Sequence, residues 1–236
     1  MNTLTTTWTN TRKIFEHVPV DLGYQDLLAE TASTGRVYNT PTGKQYPSIT
    51  TVLSILSEDA IRAWRKRVGD EEANKISTRA SRRGTAVHLI AEKYINNEAD
   101  YKKGFTPDIL QSFAEIKPIL DNRIGKVYGQ ELPLYSDYLG IAGRVDCIAE
   151  FDGVSSIIDF KTSRRVKTAD DIHSYFMQEA AYAVMWEERT GKPIVNLVTI
   201  IAVDDNPPLV FKEHRDNWTT QLIETISEYK RRKKYA

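Results

Sequence analysis

The hydrophobic positions of this chain change period near residue 126. From about residue 48 to Arg123 they recur at three-and-four spacing among many charges, the pattern of amphipathic helices. A helical stretch runs from "TVLSIL" to about Asn97, with Gly69 and the "RRGT" of Arg82–Thr85 as expected breaks. A second covers "TPDILQSFAEIKPILDNR", with Thr106 as its cap and Pro107 in its first turn. Beyond it the pattern is strand-like. "KVYGQELPLYS", "LGIAGRVDCIAEF" and "SSIIDFKTS" are rich in Val, Ile, Tyr and Phe, and "IVNLVTIIAV" is almost wholly apolar, as a covered strand requires. "DDIHSYFMQEAAYAVMWEERTG" reads as a helix ending at Gly191, "PLVFKEH" as a further strand, and "DNWTTQLIETISEYKRRKK" as a terminal helix capped by Asp216. Ahead of all these, "GRVYNTPTGKQYPSIT" reads as two short strands around a Pro-Thr-Gly turn, with Ser48 or Thr50 capping the next helix. The order predicts an α/β fold with a mixed sheet. Residues 1–34 form a lead-in and residues 35–236 a single domain. Its helical lobe spans about 48–125 and its α/β core about 126–236.

One hairpin within the core is chemically unusual. Asp152-Gly153 is a strong tight-turn signal. A symmetric two-residue turn places Phe151 opposite Val154, Asp146 opposite Asp159, and Arg144 opposite Lys161. Two opposed carboxylates in apolar surroundings repel each other, and a cation between them removes the repulsion. Lys161 leaves the same strand face as Asp159. A hard divalent ion with oxygen ligands fits such a cluster and can serve phosphodiester hydrolysis. A surface hairpin with solvated acids is the competing reading.

Two helical segments bear on that choice. His88 lies one turn before Glu92; a lone helical histidine is more often structural than a ligand. Gln178 and Tyr182 lie four apart on one helical face, able to hold a phosphate or stack on a base, or simply part of an amphipathic helix. Ser48 and Thr50 suit phosphate contact or helix capping. Arg82 and Arg83 suit a phosphate clamp or a solvated charge pair. Trp64 suits the core or a nucleotide.

Composition narrows the classes. Thirty-two basic and 32 acidic residues cancel, so bulk charge announces no nucleic-acid partner. The single cysteine, Cys147, excludes an internal disulfide and an iron–sulfur cluster ligated by cysteines of this chain alone. The first residues lack the apolar run of a secretory signal, and no segment is long and apolar enough for a membrane span.

Taken in order, Gly84-Thr85-Ala86-Val87-His88, Gly143-Arg144-Val145-Asp146, Asp159-Phe160-Lys161 and Gln178–Tyr182 resemble the GTxxH, GxxD, (D/E)xK and QxxxY motifs of the PD-(D/E)xK nuclease superfamily. They resemble its RecB-like exonuclease branch in particular. With "PSIT" and "IIDFKTS", the chain looks most like the mitochondrial genome maintenance exonuclease group and its phage relatives. Many relatives carry four cysteines for an iron–sulfur cluster; this chain departs from them.

The resemblance implies a restriction-endonuclease-like mixed sheet flanked by helices, with the N-terminal helical lobe over the active site. It implies Mg²⁺ or Mn²⁺ held by His88, Asp146 and Asp159, with Lys161 assisting hydrolysis. Gln178 and Tyr182 would support the site and contact substrate, and Glu131 matches an acid on the preceding strand. The expected activity is a DNA exonuclease on single strands or free ends, in replication, recombination or repair, with any helicase a separate protein. The expected location is a bacterial or phage-infected cytoplasm, or an organelle matrix. A structure-specific flap endonuclease and a non-catalytic nucleic-acid-binding protein are the alternatives.

Overall fold

Asp152 and Gly153 form a two-residue turn in which both residues have positive φ, 52° and 80°. That is the backbone a type I′ hairpin needs to match the twist of its strands. Asp152 tolerates it with its carboxylate fixed by Arg123 at 2.7 Å and by Lys212. These cations hold the Asp152 carboxyl well below its usual range. The turn joins β5 (Ile141–Phe151) to β6 (Val154–Ser163), and the pairs run from Phe151↔Val154 to Cys147↔Ile158 in the expected register.

Residues 12–32 and 35–234 are described by the structure, a computed structural model. β5 and β6 are central in a five-stranded sheet of order β4-β5-β6-β7-β8, with β4 at Ile124–Ser136, β7 at Asn196–Val203 and β8 at Leu209–His214. Only β6 and β7 are parallel. Their connection holds helix α5 (His173–Thr190), closed by Gly191 at φ 69°. A smaller antiparallel sheet joins β1 (Leu28–Ala32), β2 (Gly35–Asn39) and β3 (Gln45–Pro47). β1 extends the two strands expected there into a sheet of three. The N-terminal approach to it is also anchored: His17 Nε2 lies 2.8 Å from Ile95 O, and Lys13 donates to Asp121 O at 2.6 Å.

Helices cover both faces of the large sheet. On one face, α3 (Asp70–Ile95) and α4 (Pro107–Arg123) bury Val87, Ile90, Tyr94, Phe113 and Leu120 against Cys147, Ile158, Phe160 and Val198. On the other, α1 (Ile49–Leu53), α5 and α6 (Asp216–Lys234) bury Ile49, Met177, Trp186, Leu222 and Ile226 against Ile148, Ile157 and Leu197. The almost wholly apolar β7 is explained by this double cover. α2 (Glu58–Val68) buries none of its residues. Trp64, on that helix, is half-buried, and Cys147 is fully buried.

Two local expectations change and one holds. α3 runs unbroken through Arg82–Thr85. A glycine inside a helix costs about 1 kcal/mol, which packing along a 26-residue helix offsets. A Cβ on Gly84 would come within 3.8 Å of Thr162 Oγ1, so this is where the helix passes close to β6. Ser48 does cap α1, accepting from Thr51 N at 3.0 Å. Asp216, expected as the cap of α6, lies inside its first turn.

Gly153→Ala should lower the unfolding free energy by about 1 kcal/mol, the cost of a side chain in left-handed backbone. Urea denaturation checks this. An unchanged midpoint would mean that the turn does not constrain the hairpin.

Candidate active site

The β5–β6 ladder stops one residue short of the two acids. The last pair is Cys147↔Ile158, and in place of the next one Asp146 Oδ2 accepts the Phe160 N–H at 2.8 Å. On the other side of β5, Gln130↔Cys147 and Leu132↔Val145 are paired, while the intervening Glu131 and Asp146 are not. Glu131 has φ 47°. Left-handed backbone in a non-glycine residue costs about 1–2 kcal/mol and tends to persist where function demands it. Glu131, Asp146 and Asp159 therefore share one level of three adjacent strands, where the hydrogen-bonded ladder opens.

His88, Glu131 and Asp146 each offer a ligand atom within 4.8 Å of the other two, a group able to hold a metal ion. His88 Nδ1 lies 3.3 Å from Asp146 Oδ2. Burial, then the charges of Asp146 and Glu92, push the Glu131 carboxyl from an ordinary 4.5 up to about 7, with Arg144 opposing. Mutual repulsion of this kind is what a bound cation relieves. One nitrogen and two carboxylates suit a divalent metal ion, so the donor set fits such an ion.

Asp159 lies outside that three-residue group. It is 1% exposed and ion-paired to Lys161, while Gln178 Nε2 donates to its Oδ1 at 3.3 Å. Burial raises its carboxyl above the usual range, partly countered by the Lys161 charge. For Lys161 burial acts downward, but the carboxylates of Asp159 and Asp146 outweigh it and hold the ammonium above its ordinary value. Tyr175 offers its ring face 5.1 Å from Lys161 Nζ. Tyr182 is buried, its hydroxyl 3.4 Å from Gln178 Nε2. A Cβ on Gly143 would sit 2.8 Å from the Tyr182 ring and 3.2 Å from Ile49. Glycine there is a requirement of close approach, since both neighbours are buried.

A cavity of about 320 Å³ opens onto this cluster. His88, Asp146, Lys161, Gln178 and Tyr182 line it together with Ser48 and Thr50, so these two residues combine the capping position with the rim of the site. A larger groove of about 1520 Å³ carries Arg82, Arg83, Arg164, Lys167 and Tyr175 on its wall, interspersed with acids that include Glu72, Asp108, Glu115 and Asp204. Arg83 is already engaged by Asp204 and, at 3.2 Å, by Ser112 Oγ; Arg82 is exposed. Glu92 acts on the site through its charge beside Glu131 and is not among the clustered ligand atoms.

Arg144 departs from the expected pairing with Lys161. Because the ladder has already parted, its guanidinium turns to Glu131 O and the Asp26 carboxylate, each at 2.5 Å. Sequence reading also missed Arg36 and Tyr38, which reach the cavity from β2, and Tyr175 and Glu179. Only Glu179 carried a signal, as an acid within the apolar run of α5.

Fold and site together define a restriction-endonuclease-like α/β protein with acids and a lysine clustered on three adjacent strands. The chain belongs to the PD-(D/E)XK nuclease superfamily, whose family profile matches residues 97–232, more than half of it. The match spans Glu131, Asp146, Asp159, Lys161, Gln178 and Tyr182; His88 lies just before it. This is a superfamily of nucleases that use divalent metal ions, and the His88–Glu131–Asp146 group supplies donors of that kind. Among solved structures, the chain is similar to a candidate exonuclease from Eubacterium rectale, at 17% identity and a TM-score of 0.46, over 64% of this chain and 65% of that one. It is also similar to SSO0001, at 16% identity and a TM-score of 0.33, over 61% of this chain and 71% of that one. No curated protein matches. Among the described residues no helix is long and apolar enough to cross a membrane.

Glu131 gives the metal-free site a pH signature. With its carboxyl raised in the folded state, the folded chain binds more protons than the unfolded one between about pH 4.5 and 7. Stability contributed by this group is therefore lost as pH rises through that window. Glu131→Gln should flatten that part of the profile in chelator-treated protein, read by thermal melts across pH. An unaltered slope would mean that Glu131 is not titrating as described.

Proposed function

We propose that this protein is a metal-dependent DNA exonuclease of the RecB-like branch, acting on single-stranded DNA or free DNA ends. Its setting would be replication, recombination or repair. The observation that carries this reading is the row of Glu131, Asp146 and Asp159 across β4, β5 and β6, with His88 on one side and Lys161 on the other.

His88, Glu131 and Asp146 would hold the metal ion, and Asp159 beside them would offer a further oxygen. Mg²⁺ or Mn²⁺, when bound, supplies positive charge to the scissile phosphate and acidifies a water. The chain's own residues do the rest. Asp159, steadied by Gln178, keeps the Lys161 ammonium protonated and aimed into the cavity. Lys161 Nζ orients the attacking water and stabilises negative charge on the phosphate oxygens. Ser48, Thr50 and Tyr182 on the cavity rim hold the neighbouring phosphate and sugar, while Arg82 and the groove beyond Tyr175 accept the continuing strand. Any helicase would be a separate partner, and the setting would be a bacterial or phage-infected cytoplasm, or an organelle matrix.

Lys161→Ala and Asp146→Asn should each slow cleavage of end-labelled single-stranded DNA by at least about 10³-fold. Asp146→Asn should keep a melting temperature near that of the wild type, whereas Lys161→Ala, which strips buried Asp159 of its cation, should lower it and is assayed well below its own melting temperature. Retained cleavage in both would overturn the assignment. A covalently closed single-stranded circle should resist the enzyme; its digestion would favour the endonuclease alternative.

Binding of the ion can be read without activity. Mn²⁺ or Mg²⁺ should raise the wild-type melting temperature, and His88→Ala or Asp146→Asn should abolish the rise. An equal rise in both variants would place the ion elsewhere.

A further inference from the structure

Glu179 has no exposed surface, although it carries a carboxyl group. One oxygen, Oε1, accepts the Thr199 hydroxyl; the other, Oε2, is buried without a partner among the described residues. Thr199, also fully buried, is the in-register partner of Asp159 across the parallel β6–β7 pair. Gln178, the residue before Glu179, grips Asp159 itself. Two consecutive side chains of α5 thus hold two paired residues on adjacent strands, one of them the carboxylate that carries Lys161.

A carboxylate with one hydroxyl donor and one bare oxygen is untenable in the interior. Burial, then the nearby negative charge of Asp159, drives this carboxyl far toward its protonated form. The ionisable groups that act on it are Asp159, Lys161 and Asp146. A further negative charge here would compete with Asp159 for Lys161 and add to the repulsion among the acids.

We propose that Glu179 is a positioning residue for the Asp159–Lys161 pair, working as an uncharged hydrogen-bonding group that locks α5 to β7 behind the site. The inference takes the nuclease reading of Lys161 as given. Glu179 does not touch substrate, and its effect reaches the reaction through Thr199, the β6–β7 register and Asp159.

The test compares Glu179→Gln, Glu179→Met and Thr199→Val. Steady-state cleavage of labelled single-stranded DNA with Mg²⁺ is measured across pH, and the ¹⁵N resonance of the Lys161 ammonium, assigned with Lys161→Arg, is recorded in the metal-free protein. Glu179→Gln should keep the wild-type kcat, pH profile and Lys161 resonance. Glu179→Met should shift the resonance and lower kcat by up to about 10²-fold at an unchanged KM, the scale of a small displacement of a reacting group. Thr199→Val should shift both in the same sense, and carries the test if Glu179→Met does not fold. Loss of kcat in Glu179→Gln equal to that in Glu179→Met would show that a carboxylate is needed and overturn the proposal. Wild-type behaviour of Glu179→Met or Thr199→Val would reduce Glu179 to packing and overturn it too. If the wild type cleaves nothing, the nuclease reading fails, and the Lys161 resonance in the three variants still decides the role of Glu179.

Discussion

The Asp159–Lys161 ion pair is the constraint around which the centre of this molecule is arranged. A carboxylate at 1% exposure in the middle of a covered sheet cannot remain ionised without a cation in contact. Lys161 supplies it from the same strand and the same face, two residues on. The pair needs further support, because removing water from both charges costs about as much as their attraction returns. Gln178 on Asp159 Oδ1 and the Tyr175 ring beside the ammonium provide part of it. α5 is consequently not only an apolar cover for the sheet but the rigid wall that keeps a charged cluster in place.

A second constraint follows from the sheet. Hydrogen-bonded ladders hold strands at fixed spacing and keep their backbone N–H groups occupied. At Asp146 the ladder is interrupted on both sides, and the carboxylate takes the Phe160 N–H for itself. The opening brings Asp146 toward His88 on α3 and toward Glu131 in its left-handed backbone. The backbone bonds lost and the strained φ are the cost of an oxygen- and nitrogen-rich cavity on the face of the sheet. The 320 Å³ space above it is then closed by parts distant in sequence: the small N-terminal sheet, α1, α3 and α5.

Much of this was legible beforehand. The Asp152-Gly153 turn fixes its own backbone and so sets the register of β5 on β6, whatever the rest of the chain does. The face shared by Asp159 and Lys161 follows from the two-residue period of a strand, and the spacing of Gln178 and Tyr182 from the helical repeat. Glycine at position 143 was readable as part of a motif, though not its reason, which is the Tyr182 ring. The expected break at Gly84 failed because local helix weakness was judged without the packing of α3 on the sheet. Arg144 was placed opposite Lys161 by extending a register past the point where the strands part.

The sequence by itself determined most of the elements, the hairpin and the identity of the acids and the lysine, because turn chemistry and side-chain periodicity act over a few residues. Only the tertiary structure decided which of those groups meet. It put Glu131 rather than Asp159 in the tight group with His88 and Asp146, gave Asp159 to Lys161, and buried Glu179 against Thr199. The physical reason is desolvation. How far a carboxylate is removed from water, and which charge lies within reach when it is, depends on strands and helices that are remote in sequence and close only after folding.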